Sequence, residues 1–171
     1  METNTTEKLR DVMRFWGTGV AIATTSNGKT RHGMTVNSFT SLALDPPLVM
    51  ISLEKNTRTH GLVSKTGTFG ITILADDQQH ISDRFAGRLG NEDERFNGVQ
   101  TWSLETGSPL IEGGLAFFDC VVSERVPAGT HTVFIGEVLS AQVGENAEAR
   151  TPLVYFNRGY RNLESESLKD G

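Results

Sequence analysis

The chain has 171 residues, one cysteine and a formal net charge of −5. Its length suits one domain that buries a core without disulfides, and its scattered basic residues lack the clustering that nucleic-acid binding requires. The polar start lacks the apolar segment of a secretory signal, and no stretch is long enough to span a bilayer. We therefore expect a cytoplasmic single domain, 1–171, with its core at about 13–163, flexible tails at 1–5 and 164–171, and a small soluble ligand rather than nucleic acid or membrane.

An amphipathic helix is predicted at the start of the chain. Thr5 or Thr6 would cap it and Gly17 would end it. Apolar residues recur at helical spacing along one face, which we expect to dock on the core. These residues are Leu9, Val12, Met13 and Trp16.

A β-hairpin follows. Two β-prone runs, 20–25 and 30–37, flank Asn27-Gly28, and this dipeptide favours a type I′ turn because both central residues need a positive φ. A polar loop then leads to Asp45-Pro46-Pro47, which removes two backbone donors and predicts a rigid turn before a buried strand at 48–53.

The next segment is typical of a helix N-terminus. Asn56 or Thr57 would cap the helix and Gly67 would end it. Lys55 and Arg58 lie at the positive end of this helix, where cations are favourable only with an anion, so the segment is a candidate phosphate site. A solvated surface turn is the alternative.

The rest of the chain is rich in strands. We expect a buried strand at 69–73, a helix capped by Asp76 with Ile81 and Phe85 on one face, and a polar covering loop at 89–108. Long strands at 115–125 and 132–143, joined by 126–131, precede a short strand at 153–156 and a turn at 157–160. Without regular alternation of strands and helices, the pattern indicates a mainly β domain with short helices, a closed or nearly closed antiparallel barrel.

Several common catalytic motifs are absent from the sequence. Gly17-Thr18-Gly19 lacks the third glycine of a dinucleotide fingerprint, and no phosphate-binding P-loop occurs. The four histidines show no metal-ligand spacing, and no nucleophile elbow is present. Cys120 lies in an apolar run, where a buried, inert thiol is expected.

Together, several segments resemble the short-chain flavin reductases, the reductase components of two-component flavin-dependent monooxygenases. The first is GMTVNSFTS at 33–41, followed by DPPLV at 45–49 and Asn56-Thr57. FAGR at 85–88, GTHTVFIGEV at 129–138 and YF-x-x-GY at 155–160 extend the match. The resemblance spans about 13–163, and the order and spacing of the segments make it specific.

This resemblance implies an antiparallel Greek-key split β-barrel that binds FMN or FAD, as a homodimer with the flavin near the subunit interface. It implies that the isoalloxazine is lined by Met34, Thr35, Val36, Asn37 and Ser38. The ribityl and phosphate end would be held by Ser52, Leu53, Lys55, Asn56, Thr57 and Arg58. The flavin site would be completed by Phe85, Ala86 and Arg88, and the nicotinamide side by His131, Tyr155 and Tyr160.

The implied activity is reduction of flavin by hydride transfer from NADH or NADPH, with release of the reduced flavin to a partner oxygenase. The residues leave alternatives open: His131 could simply follow a turn, and Tyr155 and Tyr160 could plug the end of the barrel. A protein of the same barrel that retains its flavin and acts on a small organic substrate, or a non-catalytic flavin carrier, is the competing function. The sequence does not decide between FMN and FAD or between NADH and NADPH.

Overall fold

The structure is a computed structural model that describes residues 5–91 and 94–163. Its helices are α1 (Thr5–Met13), α2 (Arg58–Thr66) and α3 (Gln79–Phe85), with 3₁₀ turns at Asp76–Gln78 and Ala147–Ala149. The strands are β1 (Thr18–Gly19), β2 (Ala21–Ser26), β3 (Arg31–Val36), β4 (Thr40–Leu44), β5 (Pro47–Glu54), β6 (Thr68–Ile73), β7 (Thr101–Trp102), β8 (Leu110–Ile111), β9 (Ala116–Ala128), β10 (His131–Val143), β11 (Val154–Phe156) and β12 (Gly159–Arg161).

Seven strands form one antiparallel sheet in the order β3-β2-β6-β9-β10-β5-β4. β9 and β10 are its longest strands, at 13 residues each. Because β2 pairs with β6 and β10 pairs with β5, distant parts of the chain become neighbours, as in Greek-key sheets. The predicted mainly antiparallel β architecture is therefore present.

Ser38 fastens the chain beyond β3 to the opposite side of the sheet. Its hydroxyl donates to the carbonyl of Ser52 at 3.1 Å and accepts from the backbone N–H of Ser52 at 3.0 Å. Ser52 lies on β5, next to the other edge of the strand order. The strand order itself is open, and this side-chain bridge brings the two sides of the sheet together.

Two apolar clusters form the core. The first packs around Phe69 and Phe134, and a Cβ at Gly136 would lie 2.5 Å from Phe69 Cζ, so only glycine fits there. The second cluster contains Val20, Ile22, Leu74, Phe85 and Leu153, with Tyr155 and Tyr160 packed against it. The second cluster supports the candidate site described below.

Local signals define α2 as predicted. The helix follows Thr57, whose hydroxyl accepts from the N–H of His60 at 3.3 Å. It ends at Gly67, which has a φ of 68° and donates its N–H to Val63 O at 2.9 Å. The predicted N-cap and C-terminal glycine are confirmed.

Asp76 does not cap a helix, contrary to the prediction. It lies inside the 3₁₀ turn before α3, and its carboxylate accepts from Thr151 Oγ1 at 2.6 Å. The interaction is with a residue 75 positions away, so no local pattern could show it. Ile81 and Phe85 share the buried face of α3, as expected.

Contrary to the prediction, α1 does not dock on the core of its own chain. The helix buries none of its residues, and Trp16 is 68% exposed. It also ends at Met13 rather than Gly17, and Thr5 and Thr6 lie within it. Helical periodicity identifies an apolar face but not what covers it.

Several connections differ from the expected ones. The predicted polar loop after β3 contains a strand, β4, which pairs with β5 across Asp45-Pro46. The loop at 27–30 has four residues, and only Gly28 takes a positive φ, so the turn is not type I′. β9 and β10 extend to a two-residue connection, Gly129-Thr130, and the covering loop contributes β7.

Within residues 5–91 and 94–163, no helix is both long and apolar enough to cross a membrane. The same residues contain no cluster of three or more histidine, cysteine or acidic side chains arranged to hold a metal ion. Cys120 is buried as expected. The predicted flexible tails, apart from Thr5, lie outside the described residues.

Candidate functional site

A cavity of about 240 Å³ opens where the end of β3 meets α3 and the β11–β12 hairpin. The residues around it come from segments far apart in the sequence. They are Val20, Thr35, Val36, Asn37, Ser82, Ala86, Arg88, Tyr155 and Tyr160. All of these except Val20 and Ser82, seven residues in total, were predicted from the sequence as flavin-site or nicotinamide-side residues. The structure therefore brings much of the predicted site together.

The end of β3 forms one wall of the cavity. Thr35 lies in the strand, and its hydroxyl donates to the carbonyl of Ser82 at 2.6 Å, which ties β3 to α3. Val36 is buried, whereas Asn37, just beyond the strand, is exposed. The Asn37 amide is therefore exposed to solvent at the point where the chain leaves the sheet.

The C-terminal end of α3 places Arg88 beside the cavity. Gly87, at a φ of 74°, donates its N–H to Arg84 O at 3.1 Å, and the N–H of Arg88 donates to Asp83 O at 3.0 Å. This pair of bonds is a Schellman motif, in which a glycine adopts the left-handed conformation that other residues avoid. The motif reverses the chain and returns Arg88 to the side of α3 that carries Asp83.

Asp83 connects two of the cavity residues. Its Oδ1 accepts from Arg88 Nη1 at 2.9 Å and from the Tyr160 hydroxyl at 3.2 Å. The Asp83 carboxylate raises the pKa of Arg88 through this hydrogen bond. Burial raises the pKa of Tyr160, whose hydroxyl also lies 2.8 Å from Ser82 Oγ. Both cavity groups therefore stay in their ordinary neutral-pH charge states, Arg88 cationic and Tyr160 uncharged.

The β11–β12 hairpin closes the opposite side. Asn157 and Arg158, its two turn residues, have φ values of 48° and 62°, as expected for a type I′ turn. The turn pairs Tyr155 with Tyr160, whose rings meet edge to face at 5.6 Å. Arg158 binds Asp11 of α1 at 2.8 Å, so the same hairpin also holds the first helix.

A second, larger cavity of about 640 Å³ adjoins the first and shares Val20 and Asn37 with it. Ligand pockets typically measure roughly 300–1,000 Å³, so the first cavity alone is small and the second is of ligand size. Apolar side chains from α1, β5 and the β3–β4 connection surround it. The predicted residue Ser38 also lines it, together with Met13, Trp16, Phe39, Thr40 and Met50.

The predicted phosphate-end residues and His131 form a separate group where β5, α2 and β10 meet. His131 is paired with Glu54 in the sheet, and its Nδ1 lies 3.0 Å from Thr130 Oγ1. Lys55 donates to Gly129 O at 2.7 Å. Exposed side chains here include Lys55, Asn56 and Arg58. None of this group lines either cavity, and the Ser38–Ser52 bonds connect it to the cavity residues.

Two predicted residues are fully buried and a third is partly buried. Leu53 and Phe85 are 0% exposed, and Met34 packs against the first core cluster. Phe85 lies under β3, since a Cβ on Gly33 would come within 3.1 Å of its ring. The Leu53 and Phe85 side chains therefore present no surface to a ligand in this structure, whereas Met34 is partly exposed.

Sequence reasoning missed Ser82, Asp83 and Val20. Ser82 and Asp83 lie three and two positions before the predicted FAGR segment. Asp83 stands five positions before Arg88, which is the spacing that the Schellman motif brings together. An acidic residue at that distance from Arg88 was the available signal. Val20 had no signal beyond its place in a strand.

The chemistry of the cavity fits a flavin. Val20, Val36 and Ala86 supply apolar walls, while Asn37 and Arg88 supply hydrogen-bonding groups at the edge. Pockets that bind flat heteroaromatic ligands combine these two features. The adjoining larger cavity supplies the additional volume.

Comparison with known proteins also points to a flavin. The family profile described as flavin reductase like domain matches residues 13–164. The NADH-dependent flavin reductase of a Rhodococcus species is 38% identical over 159 residues, which cover 91% of this chain and 85% of that protein.

Two solved structures superpose closely. BorF, the flavin reductase component of a bacterial two-component tryptophan halogenase, gives a TM-score of 0.83 at 36% identity, covering 92% of this chain and 98% of its own. The Streptomyces globisporus NADH:FAD oxidoreductase SgcE6, in complex with NAD and FAD fragments, gives 0.87 at 30% identity, covering 98% and 99%. The predicted fold class and oxidoreductase class are thereby confirmed, and the chain belongs to the family of the flavin reductase like domain.

Proposed function

We propose that this protein reduces FMN or FAD with NADH or NADPH and releases the reduced flavin to a partner oxygenase. The observation that carries the proposal is the meeting of β3, α3 and the β11–β12 hairpin around one polar-edged cavity. Relatives named as an NADH-dependent flavin reductase and as the reductase component of a two-component halogenase support it.

In this proposal the cavity walls hold the ring system. Thr35, Val36, Asn37, Ala86 and Arg88 contact it, with Met34 and Phe85 packed behind. Ser38 keeps β3 against β5 through Ser52. The polar end of the ligand runs toward the start of α2, where the backbone N–H groups and cations favour a phosphate. The residues of that end are Ser52, Leu53, Lys55, Asn56, Thr57 and Arg58.

The bound flavin supplies the redox chemistry by accepting a hydride. The chain's own contribution is orientation and electrostatics. Backbone N–H groups near Asn37 and Ser38 stabilise negative charge at the pyrimidine edge. No side chain acts as a nucleophile, and the one cysteine, Cys120, is buried with its pKa raised to about 12.

His131 orients the nicotinamide in this proposal. Its Nδ1 lies 3.0 Å from Thr130 Oγ1, a contact that helps to orient the ring, and in the proposal Nε2 faces the nicotinamide. Tyr155 and Tyr160 close the nicotinamide side. Because His131 lies outside both cavities, a catalytic arrangement requires the substrate to span the surface between the cavity and the start of β10.

The proposal includes a homodimer. The exposed apolar residues of α1 and its neighbours include Val12, Phe15 and Trp16. Trp16 also lines the larger cavity, and a second subunit would cover all three. Sedimentation velocity is expected to give a dimer. A monomer at micromolar concentration would remove the shared-interface part of the proposal.

The activity test combines the purified protein with each pair of NADH or NADPH and FMN or FAD, and follows the loss of nicotinamide absorbance. We expect one pair at least to be consumed far faster than in protein-free buffer. No acceleration with any pair contradicts the proposal. Flavin that copurifies with the protein, without nicotinamide oxidation, would favour the flavin carrier instead.

A further inference from the structure

We propose that Asp83 is a positioning residue that holds Arg88 and Tyr160 at the cavity, so that its loss weakens flavin binding through Arg88. The inference rests on the proposed function, because it takes a flavin nucleotide as the ligand. It adds a residue that neither the motifs nor the cavity lining identify, since Asp83 is not among the residues around the cavity.

Asp83 accepts two separate hydrogen bonds from Arg88. Its backbone carbonyl accepts the N–H of Arg88 at 3.0 Å, and its carboxylate accepts from Nη1 at 2.9 Å. The first bond belongs to the Schellman motif and places the Arg88 backbone. The second holds the guanidinium of a half-exposed side chain that lines the cavity.

The same carboxylate oxygen also holds Tyr160. The hydroxyl of Tyr160 lies 3.2 Å from Asp83 Oδ1, and the Arg88 guanidinium lies 5.7 Å from the centre of the Tyr160 ring. Arg88, Asp83 and Tyr160 thus form one connected unit that joins α3 to β12. A guanidinium held in place loses less conformational entropy on binding than a free one, so the unit prepares Arg88 for a hydrogen-bond acceptor on the ligand.

Exposure separates Asp83 from an ordinary surface ion pair. The Asp83 side chain is 21% exposed and Arg88 is 53% exposed. In the pair between Asp77 and Arg150, at 2.7 Å, the aspartate is 68% exposed. Asp83 is therefore more buried than Arg88, the residue it binds. Asp77 also binds an arginine but is mostly exposed, so it serves as the matched control.

The experiment measures the Kd for FMN by quenching of flavin fluorescence, and the KM for FMN and the kcat, in wild type and in five variants, including the two of the double-mutant cycle below. Asp83→Ala is expected to raise the Kd and KM about tenfold, the loss expected for one hydrogen bond to a charged group, with kcat at saturation close to wild type. Asp83→Asn keeps an acceptor oxygen and should recover much of the affinity. Asp77→Ala should bind FMN like wild type.

A double-mutant cycle decides whether Asp83 acts through Arg88. In an Arg88→Ala background, adding Asp83→Ala should change the Kd no further. An equal loss in both backgrounds, or wild-type affinity in Asp83→Ala, overturns the inference while leaving wild-type turnover, and hence the proposed function, intact. Wild-type protein that neither binds FMN nor oxidises nicotinamide overturns both. Thermal unfolding of each variant establishes folding. If Asp83→Ala does not fold, Asp83→Asn takes its place in the cycle: its smaller loss of affinity should disappear in the Arg88→Ala background, and an equal loss in both backgrounds overturns the inference.

Discussion

The hydroxyl oxygens of Tyr160 and Ser82 lie 2.8 Å apart although the residues stand 78 positions apart in the chain. Ser82 is buried on α3, and Tyr160 belongs to β12, the last strand that the structure describes. This contact joins the β11–β12 hairpin to α3, and both of its residues line the cavity. The shape of the cavity therefore depends on the position of β12.

The variant Tyr160→Phe removes this contact and the one to Asp83. It leaves the buried Ser82 hydroxyl without its partner, so the free energy of unfolding should fall by about 1–3 kcal/mol. Urea denaturation measures the loss. Adding Ser82→Ala should restore part of it, because no buried hydroxyl then remains unpaired; wild-type stability in Tyr160→Phe would show that the contact contributes nothing.

The second prediction concerns the bridge between the two sides of the sheet. Ser38→Ala removes the acceptor for the N–H of Ser52 and the donor to its carbonyl. We expect a loss of about 1–3 kcal/mol in the free energy of unfolding, with a weaker flavin affinity because Asn37 is next to Ser38. Ser41→Ala, an exposed serine on β4, is the control. Equal denaturation midpoints for the two variants would contradict the prediction.

The third prediction concerns the turn at Gly87, which positions Arg88 beside the cavity. Gly87→Ala forces a side chain onto a φ of 74°, with its Cβ 3.1 Å from Arg95 Nη2, and should cost about 1–2 kcal/mol of stability. Gly28→Ala, at a φ of 85° with open space around it, imposes similar backbone strain far from the cavity. Both variants should be destabilised, but only Gly87→Ala should raise the KM for flavin. A raised KM in both would assign the effect to stability alone.

The fourth prediction concerns His131. His131→Ala should slow nicotinamide-dependent turnover while the Kd for flavin stays close to wild type, because the histidine is proposed to orient only the hydride donor. His80→Ala, an exposed histidine on α3, is the control. Normal turnover in His131→Ala would mean that this histidine merely follows the turn at Gly129-Thr130.

The fifth prediction concerns Cys120. Burial raises the pKa of its thiol to about 12, so almost no reactive thiolate exists at neutral pH. Native protein should resist a thiol-specific reagent at pH 7, and labelling should appear only in denaturant. Rapid labelling of the native protein would show that the strand around Cys120 opens readily.

Local chemistry explains which elements could be predicted. Thr57 and Gly67 signal the ends of α2 through their own backbone and side-chain preferences, and both were predicted correctly. The apolar face of α1 was equally visible, but its exposure was not, because the sequence does not say what covers a face. Asp76 was misassigned as a cap since its partner, Thr151, is distant in sequence.

The site was predicted unevenly for a similar reason. Thr35, Asn37 and Arg88 lie in motifs that the family resemblance identifies, and the structure places them around one cavity. The contact between Asp83 and Arg88 forms because the chain turns at the end of α3, and Asp83 lies outside the motifs of the resemblance. The homodimer, the cytoplasmic location and the roles of the individual site residues stay predictions.

Anaerobic mixing of the wild-type protein with NADH or NADPH and FMN or FAD tests the central claim most directly. The account predicts that the visible absorbance of the flavin is lost in step with oxidation of the nicotinamide, one flavin for each nicotinamide, and that the reduced flavin passes through a membrane that retains the protein. Flavin bleaching no faster than in protein-free buffer, with every pair, would contradict it.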